Sequence, residues 1–414
     1  MLFTLEALQA KHGDSLILHY GHKKAPRFIV IDGGPATVFR KWLGPRLEEL
    51  RAKWGKVSTS GVDKVLPIDL LMVSHIDDDH LNGVLALFEK LEEDGTKPYE
   101  IATLWHNAFD DILGNDDDEL RKAISSELKT ATASGTLVDF VKAIDKEQGK
   151  DNSLDRERMA VAANVPQGQR LRNLAKTAKA QVNCLTLADA RKAKSVKLVA
   201  AAKGGSKFYD FNDGLKFCII GPSADRLAAL QKEWAKAVRA AAKKKQKAKA
   251  LAAAYLDESA FNLSSIVIVA ELGGKRMLLT GDARGDYILE GLIASKLLKK
   301  GGAVHFDLLK VMHHGSDRNV EEAFFRQVTA DHYVVSADGK HNNPDMPTLQ
   351  WIANARGQDD YLIHLTNRDG DNELGKKLTD LLATPKFKHL KKRVRFRDDD
   401  AKGMKIDLLE GVKY

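Results

Sequence analysis

Cysteine is almost missing: Cys184 and Cys218 are the two in 414 residues. Two distant thiols build neither a disulfide framework nor a cysteine-rich zinc motif, so they read as reduced, structural residues. No window approaches ~18 uninterrupted apolar residues, which argues against a transmembrane helix. The opening MLFTLEALQAKHGDS has no basic segment followed by a long apolar run. It reads as a first β-strand rather than a signal peptide, and the expectation is a cytoplasmic protein with no membrane partner. Aromatics are sparse, at 7 %. No zinc finger, helix-turn-helix signal or Walker motif occurs, and no Ser-His-Asp or Cys-His arrangement suggests a side-chain nucleophile.

What is present is ordinary apolar content, 43 %, enough for a large core. The formal net charge of +8 favours anionic partners such as nucleic acid or phosphorylated metabolites, although it also suits simple solubility. The length suggests two to three domains on a prior of about 150 residues each.

Residues 3–8 alternate apolar and polar, as a half-buried strand does. Strands at 16–20 and 28–31 follow, joined by hairpin-length loops, the third ending in Asp32-Gly33-Gly34. Helical periodicity covers 36–53, a buried strand runs over 68–73 into His75, and 80–94 is helical again. A short strand at 101–105 ends at His106. Strand character returns at 207–221, and 264–271 with 276–280 form a hairpin around Gly273-Gly274. Helices at 284–299, 320–328 and 345–355 then alternate with strands at 305–312, 331–336 and 360–365. Hairpin-linked opening strands followed by strand–helix units suit an αββα sandwich better than a doubly wound parallel sheet.

The chemistry concentrates in Asp69-Leu-Leu-Met-Val-Ser-His75-Ile-Asp77-Asp-Asp79-His80. An apolar strand ends abruptly in two histidines and three carboxylates. A tight turn can bring His75, Asp77, Asp79 and His80 to one point, where imidazole and carboxylate suit zinc, manganese or iron. The plain alternative is a polar loop in which Asp78 or Asp79 caps the next helix.

The segment resembles the HxHxDH signature of the metallo-β-lactamase superfamily, with Asp77 in place of the second histidine. The HxDxDH form is similar to the hydrolase domain of ComEC-type DNA-uptake competence proteins. Gly13-Asp14-Ser15 and Ile31-Asp32-Gly33-Gly34 resemble that family's GDS and IDGG. Asn262-Leu-Ser264-Ser265, Gly273 to Asp282 and Asp307 to Ser316 resemble its NxNS, GGxRxLLTGD and DxLKxxHHGS stretches. The likeness covers residues 1–108 and 207–366. It departs at His341-Asn342-Asn343-Pro344, where the competence-type pattern is GHPHP.

The resemblance implies an α/β fold, the αββα metallo-β-lactamase sandwich with helical insertions. Its halves are 1–109 and 207–385, around a mainly helical insertion at 110–206. A basic helical insertion occupies 223–258, and 386–414 form a strand-like tail. It also implies two divalent ions, Mn²⁺ or Zn²⁺. His75, Asp77 and His106 would hold one; Asp79, His80 and either His313 or His314 the other; Asp282 would bridge. Strand alternation would turn one of His313 and His314 inward, without saying which. The other, with Ser316 and His341, is a candidate for substrate phosphate, and Asp32 for a partner of a ligating histidine. Two ions about 3.5–4 Å apart can activate water and stabilise the developing oxyanion.

A lysine run including Lys243, Lys244, Lys245 and Lys247 could grip nucleic acid or be a solvated helix face. The expected activity is a phosphodiesterase or nuclease, with DNA favoured by the resemblance. The alternatives are hydrolysis of a small ester, lactone, thioester or nucleotide metabolite, and a non-catalytic, metal-stabilised module of a multi-protein assembly such as an antiviral one.

Overall fold

The computed structural model describes residues 1–57, 64–94, 98–107, 167–168, 170–202, 205, 207–228 and 264–414. Most of the expected insertion at 110–206, and the lysine run at 243–247, lie outside them.

Two sheets form the centre. The first contains β1 (Leu2–Leu8), β2 (Leu16–His22), β3 (Ala25–Ile31), β6 (Leu70–Met72), β8 (Thr103–Trp105), β9 (Gln181–Val182) and β18 (Gly403–Asp407), in the order β18-β1-β2-β3-β6-β8-β9. The second runs in chain order through β10 (Phe208–Asn212), β11 (Leu215–Gly221), β12 (Val267–Leu272), β13 (Lys275–Leu279), β14 (Val304–Lys310), β15 (Val328–Val335), β16 (Leu362–Leu365) and β17 (Val394–Phe396). A small sheet joins β4 (Lys56–Val57), β5 (Lys64–Ile68) and β7 (Tyr99–Ile101).

Each large sheet has an antiparallel part, β18-β1-β2-β3 in the first and β10 to β13 in the second, and a parallel part. β3, β6, β8 and β9 are parallel neighbours, as are β13 to β17. Parallel strands need long crossovers, and these supply the helices at Asp78–Asp94, Gly285–Ala294, Glu322–Gln327 and Met346–Arg356.

Alternation along the parallel strands explains the layering. Ile29, Ile31, Leu70 and Met72 face Ile268, Met277, Leu308 and Val334 across the middle of the sandwich. Their neighbours Val30, Leu71 and Val73 turn the other way, onto Leu47, Leu50, Val84, Leu87 and Phe88 of helices Gly44–Trp54 and Asp78–Asp94. Leu278, Leu309 and Tyr333 likewise pack outward against Ile288, Leu292, Phe324 and Ile352. Both faces of each sheet are therefore buried, and the layers run helix, sheet, sheet, helix: the αββα sandwich expected.

The strand-like tail is a structural part of both sheets. β17 pairs with β16, and β18 lies antiparallel to β1. Helix Leu374–Ala383 was not among the expected elements. No described helix is long and apolar enough to cross a membrane.

Candidate metal centre

The chain places its chemistry at one edge of the sandwich. Asp32 follows β3, the Ser74–His80 segment follows β6, and Asp282, His314 and Ser336 follow β13, β14 and β15. These are carboxyl ends of parallel strands, where crevices open in α/β sheets.

His80 sits in the first turn of helix Asp78–Asp94, and its backbone N–H donates to Asp77 O at 3.0 Å. Its ring is fully buried. Nδ1 lies 2.9 Å from Asp32 Oδ2. Asp32 is itself held by the Ser74 N–H and hydroxyl, both at 2.7 Å. His314 has the matching arrangement, with Nδ1 2.9 Å from the Ser336 carbonyl. A carboxylate and a carbonyl only accept hydrogen bonds, so both Nδ1 atoms donate, and in the neutral rings that a metal would require both Nε2 atoms are free to ligate. Those Nε2 atoms lie 3.3 Å from each other. His314 Nε2 is also 3.3 Å from Asp79 Oδ2 and from Asp282 Oδ2, and His80 Nε2 is 3.3 Å from Asp282 Oδ1.

A second group adjoins the first through Asp282. His75 Nε2 is 3.2 Å from Asp77 Oδ2 and 3.8 Å from Asp282 Oδ2. His313 Nε2 is likewise 3.8 Å from Asp282 Oδ2. His75 Nε2, Asp77 Oδ1, Asp282 Oδ1 and His313 Nδ1 are buried without hydrogen-bond partners.

The donor set fits a divalent cation. Imidazole Nε2 atoms gathered among carboxylates, with further carboxylate and imidazole atoms unsatisfied in a buried pocket, are costly unless positive charge stands among them. Without a cation among them, the buried carboxylates draw protons onto the rings instead. Burial opposes protonation of His80, yet Asp282, Asp32 and Asp79 hold it well above the usual imidazole range. His314 is raised in the same way by Asp282 and Asp14 against burial. Burial pushes the Asp282 carboxyl up, but His314, His80 and His313 hold it well below the usual carboxylate range.

Asp14 belongs to this region, though sequence reading gave it no role. Asp14, His80, Asp282 and His314 bring potential ligand atoms within 4.8 Å of one another. Asp14 differs from the other three in where it sits. It approaches His80 and His314 from their Nδ1 sides, at 3.9 and 3.5 Å, and it is ion-paired with Lys310. Both partners of that pair are 1 % exposed. Asp14 therefore backs the histidines, with its charge answered by Lys310, while Asp79 and Asp282 face their Nε2 atoms.

Glycines allow this crowding. A Cβ on Gly13 would lie 1.9 Å from the Asp79 carbonyl oxygen. Gly281 adopts φ +52°, and a Cβ there would press on Ser74 at 2.9 Å.

The alternation expected around His313 and His314 does not occur. β14 ends at Lys310, and His313, His314 and Gly315 then take φ of 47°, 54° and 81°. A left-handed turn brings both rings toward Asp282: His314 deep, His313 at the rim with 31 % side-chain exposure. His106 is buried, with the Gly168 backbone close to its Nε2. Both its ring nitrogens are buried without a hydrogen-bond partner, and no hydrogen bond or ion pair joins them to His75, Asp77 or Asp282 among the described residues. Ser316 is buried, and its hydroxyl accepts a long hydrogen bond, 3.4 Å, from the Arg318 N–H. His341 is exposed, with its ring 6.2 Å from that of His12.

No protein-family model matches the chain, and no curated protein does. Among solved structures, the chain is similar to Zn²⁺-bound PqqB from Methylobacterium extorquens, at 11 % identity and a TM-score of 0.34, over 96 % of this chain and 88 % of that one.

Proposed function

We propose that the chain is a metal-dependent hydrolase of the metallo-β-lactamase superfamily, acting on phosphodiesters, with nucleic acid as the favoured substrate class. The observation that carries the metal reading is the convergence of His80 and His314 Nε2, 3.3 Å apart, with the Asp79 and Asp282 carboxylates. Those four residues would hold one ion. His75, Asp77 and Asp282 would hold the other, with His313 at its rim. Bound there, divalent ions supply a nucleophile from water at neutral pH and offset negative charge developing on the substrate.

The protein's own contribution is orientation. Asp32 and the Ser336 carbonyl lock both imidazoles with Nε2 inward, the role that outer hydrogen-bond partners play for metal-bound histidines. Asp282 presents one carboxylate oxygen toward His80 and the other toward His75, His313 and His314. Asp77 in place of a histidine makes the donor set harder and more anionic, which favours Mn²⁺, with Zn²⁺ close behind. The phosphodiester preference draws on the net charge of +8 and on the family resemblance.

The test is metal content by elemental analysis, run beside cleavage of single- and double-stranded DNA and RNA in added Mn²⁺, with Asp79→Ala and His80→Ala as controls. Cleavage that disappears in both variants upholds the reading. Bound metal without cleavage would redirect the search to small phosphodiesters and esters. A protein that takes up neither Mn²⁺ nor Zn²⁺ would overturn it.

A further inference from the structure

Beside the metal centre Lys340 and His12, to which the sequence reading gives no task, lie next to His341. Lys340 follows β15 and is half-buried. Its Nζ stands 3.1 Å from His12 Nε2. No carboxylate lies within ion-pair distance of that ammonium among the described residues. One of its three N–H donors is directed to His12, and the remaining donors have no acceptor there. The exposed His341 flanks the pair, its ring 6.2 Å from that of His12.

His12 can serve as acceptor because it stays neutral. Burial, reinforced by Lys340, His314 and His341, outweighs the pull of Asp79 and brings its pKa down to about 4. Backbone contacts place the cluster on the Asp79 side of the centre, for a Cβ on Gly13, next to His12, would meet the Asp79 carbonyl oxygen at 1.9 Å. The chain next to His12 touches Asp79 directly, the Asp14 N–H donating to the Asp79 carbonyl at 3.1 Å.

The loop carrying Lys340 is braced in an unusual shape. Gly339, His341 and Asn342 have φ of 89°, 57° and 69°. Left-handed non-glycine residues persist where surrounding structure enforces them. Here the Asn372 amide donates to Gly339 O at 2.8 Å, and the Asp345 N–H donates to Gly315 O at 3.0 Å. That last bond ties the lysine loop to the His313–Gly315 turn. The backbone that carries Lys340 is thus held in fixed relation to the metal ligands.

We propose that Lys340, steadied by His12 and flanked by His341, forms an anion subsite that grips a phosphate group of the substrate on the Asp79 side of the metal centre. Lysine suits this as a point charge with free donors. The identity of the anion rests on the phosphodiester reading above; the existence of the subsite does not.

The test is calorimetric titration of the full chain, loaded with Mn²⁺, using inorganic phosphate as the probe. Wild type, Lys340→Met and Lys340→Arg are compared, with manganese content measured in each. The expected result is phosphate affinity lower by roughly tenfold or more in Lys340→Met at unchanged manganese content, and largely retained in Lys340→Arg. Equal affinity in wild type and Lys340→Met would overturn the subsite and leave the metal reading intact. If the wild type takes up no manganese, the metal reading falls. The same titration on that protein still decides the subsite: phosphate binding that depends on Lys340 upholds it, and binding that does not overturns it.

Discussion

Among the described residues two histidine clusters involve strands of the second sheet or the segments that follow them, and of these two one has the makings of a metal centre. At the carboxyl ends of that sheet's strands, His314 and His313 meet His80 and His75 around Asp79 and Asp282. Within the sheet, His332 on β15 and His364 on β16 meet each other, Nδ1 to Nε2 at 3.0 Å. The same residue type behaves oppositely in the two places. Carboxylates hold His80 and His314 well above the usual imidazole range despite burial. Burial, helped by His332 and Arg395, takes His364 down to about 3. The lesson is that buried carboxylates without enough cations, not a density of imidazoles, create the demand for a metal. The His332–His364 pair satisfies itself with one hydrogen bond.

The sharpest way to break this comparison is to remove the shared carboxylate. Asp282→Ala should abolish uptake at both metal positions, a larger loss than the roughly 10–100-fold fall typical of an outer hydrogen-bond partner; elemental analysis after dialysis reads it. Wild-type metal content in this variant would show that the carboxylate is not what draws the ion.

Lys310→Met should strand the Asp14 charge in the interior and cost about 3–5 kcal/mol of stability, measured by urea unfolding. Adding Asp14→Asn should recover much of that loss, because the uncompensated charge goes with it. Asp32→Asn should keep the fold and lower metal affinity by roughly 10–100-fold, since it removes the acceptor that orients His80. Unchanged affinity in a competitive chelator titration would mean His80 needs no such partner.

The other cluster should show itself in pH dependence. His364 titrates at about 3 in the folded chain, against 6.5 for an unperturbed imidazole. Between those values the unfolded chain holds the extra proton. Stability from this group is therefore complete above about pH 6.5 and declines as pH falls toward 3, at up to about 1.4 kcal/mol per pH unit. His364→Leu should flatten that decline in thermal melts taken across the window. The smallest expected effect is none at all: the double change His332→Ala, His364→Ala should leave metal content at the wild-type value, and a clear drop would dissolve the distinction between the clusters.

Much of this was legible in the chain because it is local. An apolar strand running into His75-Ile-Asp77-Asp-Asp79-His80 carries its own turn and helix start, and the hairpin at Gly273-Gly274 and the site-facing Gly281-Asp282 read directly from short patterns. Where reading failed, the cause was distance or an unusual backbone. Strand alternation puts one of His313 and His314 inward, whereas the chain leaves β14 at Lys310 and turns left-handed, so that both approach Asp282. Leu374, Leu378 and Leu381 fall at helical spacing and could have revealed helix Leu374–Ala383, but glycines at 370 and 375 break up that stretch.

By itself the sequence determined the αββα layering, through hairpin-linked opening strands followed by strand–helix units, and the candidate metal-ligating residues after β6, β13 and β14. Only the tertiary structure decided which groups face one another. The burial of Lys310 against Asp14, the grip of Asp32 on His80 Nδ1, the depth of His314 relative to His313 and the approach of His12 to Lys340 all join segments far apart in the chain. No local pattern encodes them. They follow from stacking two sheets so that the carboxyl ends of their parallel strands share one edge, where close packing sets which charges meet.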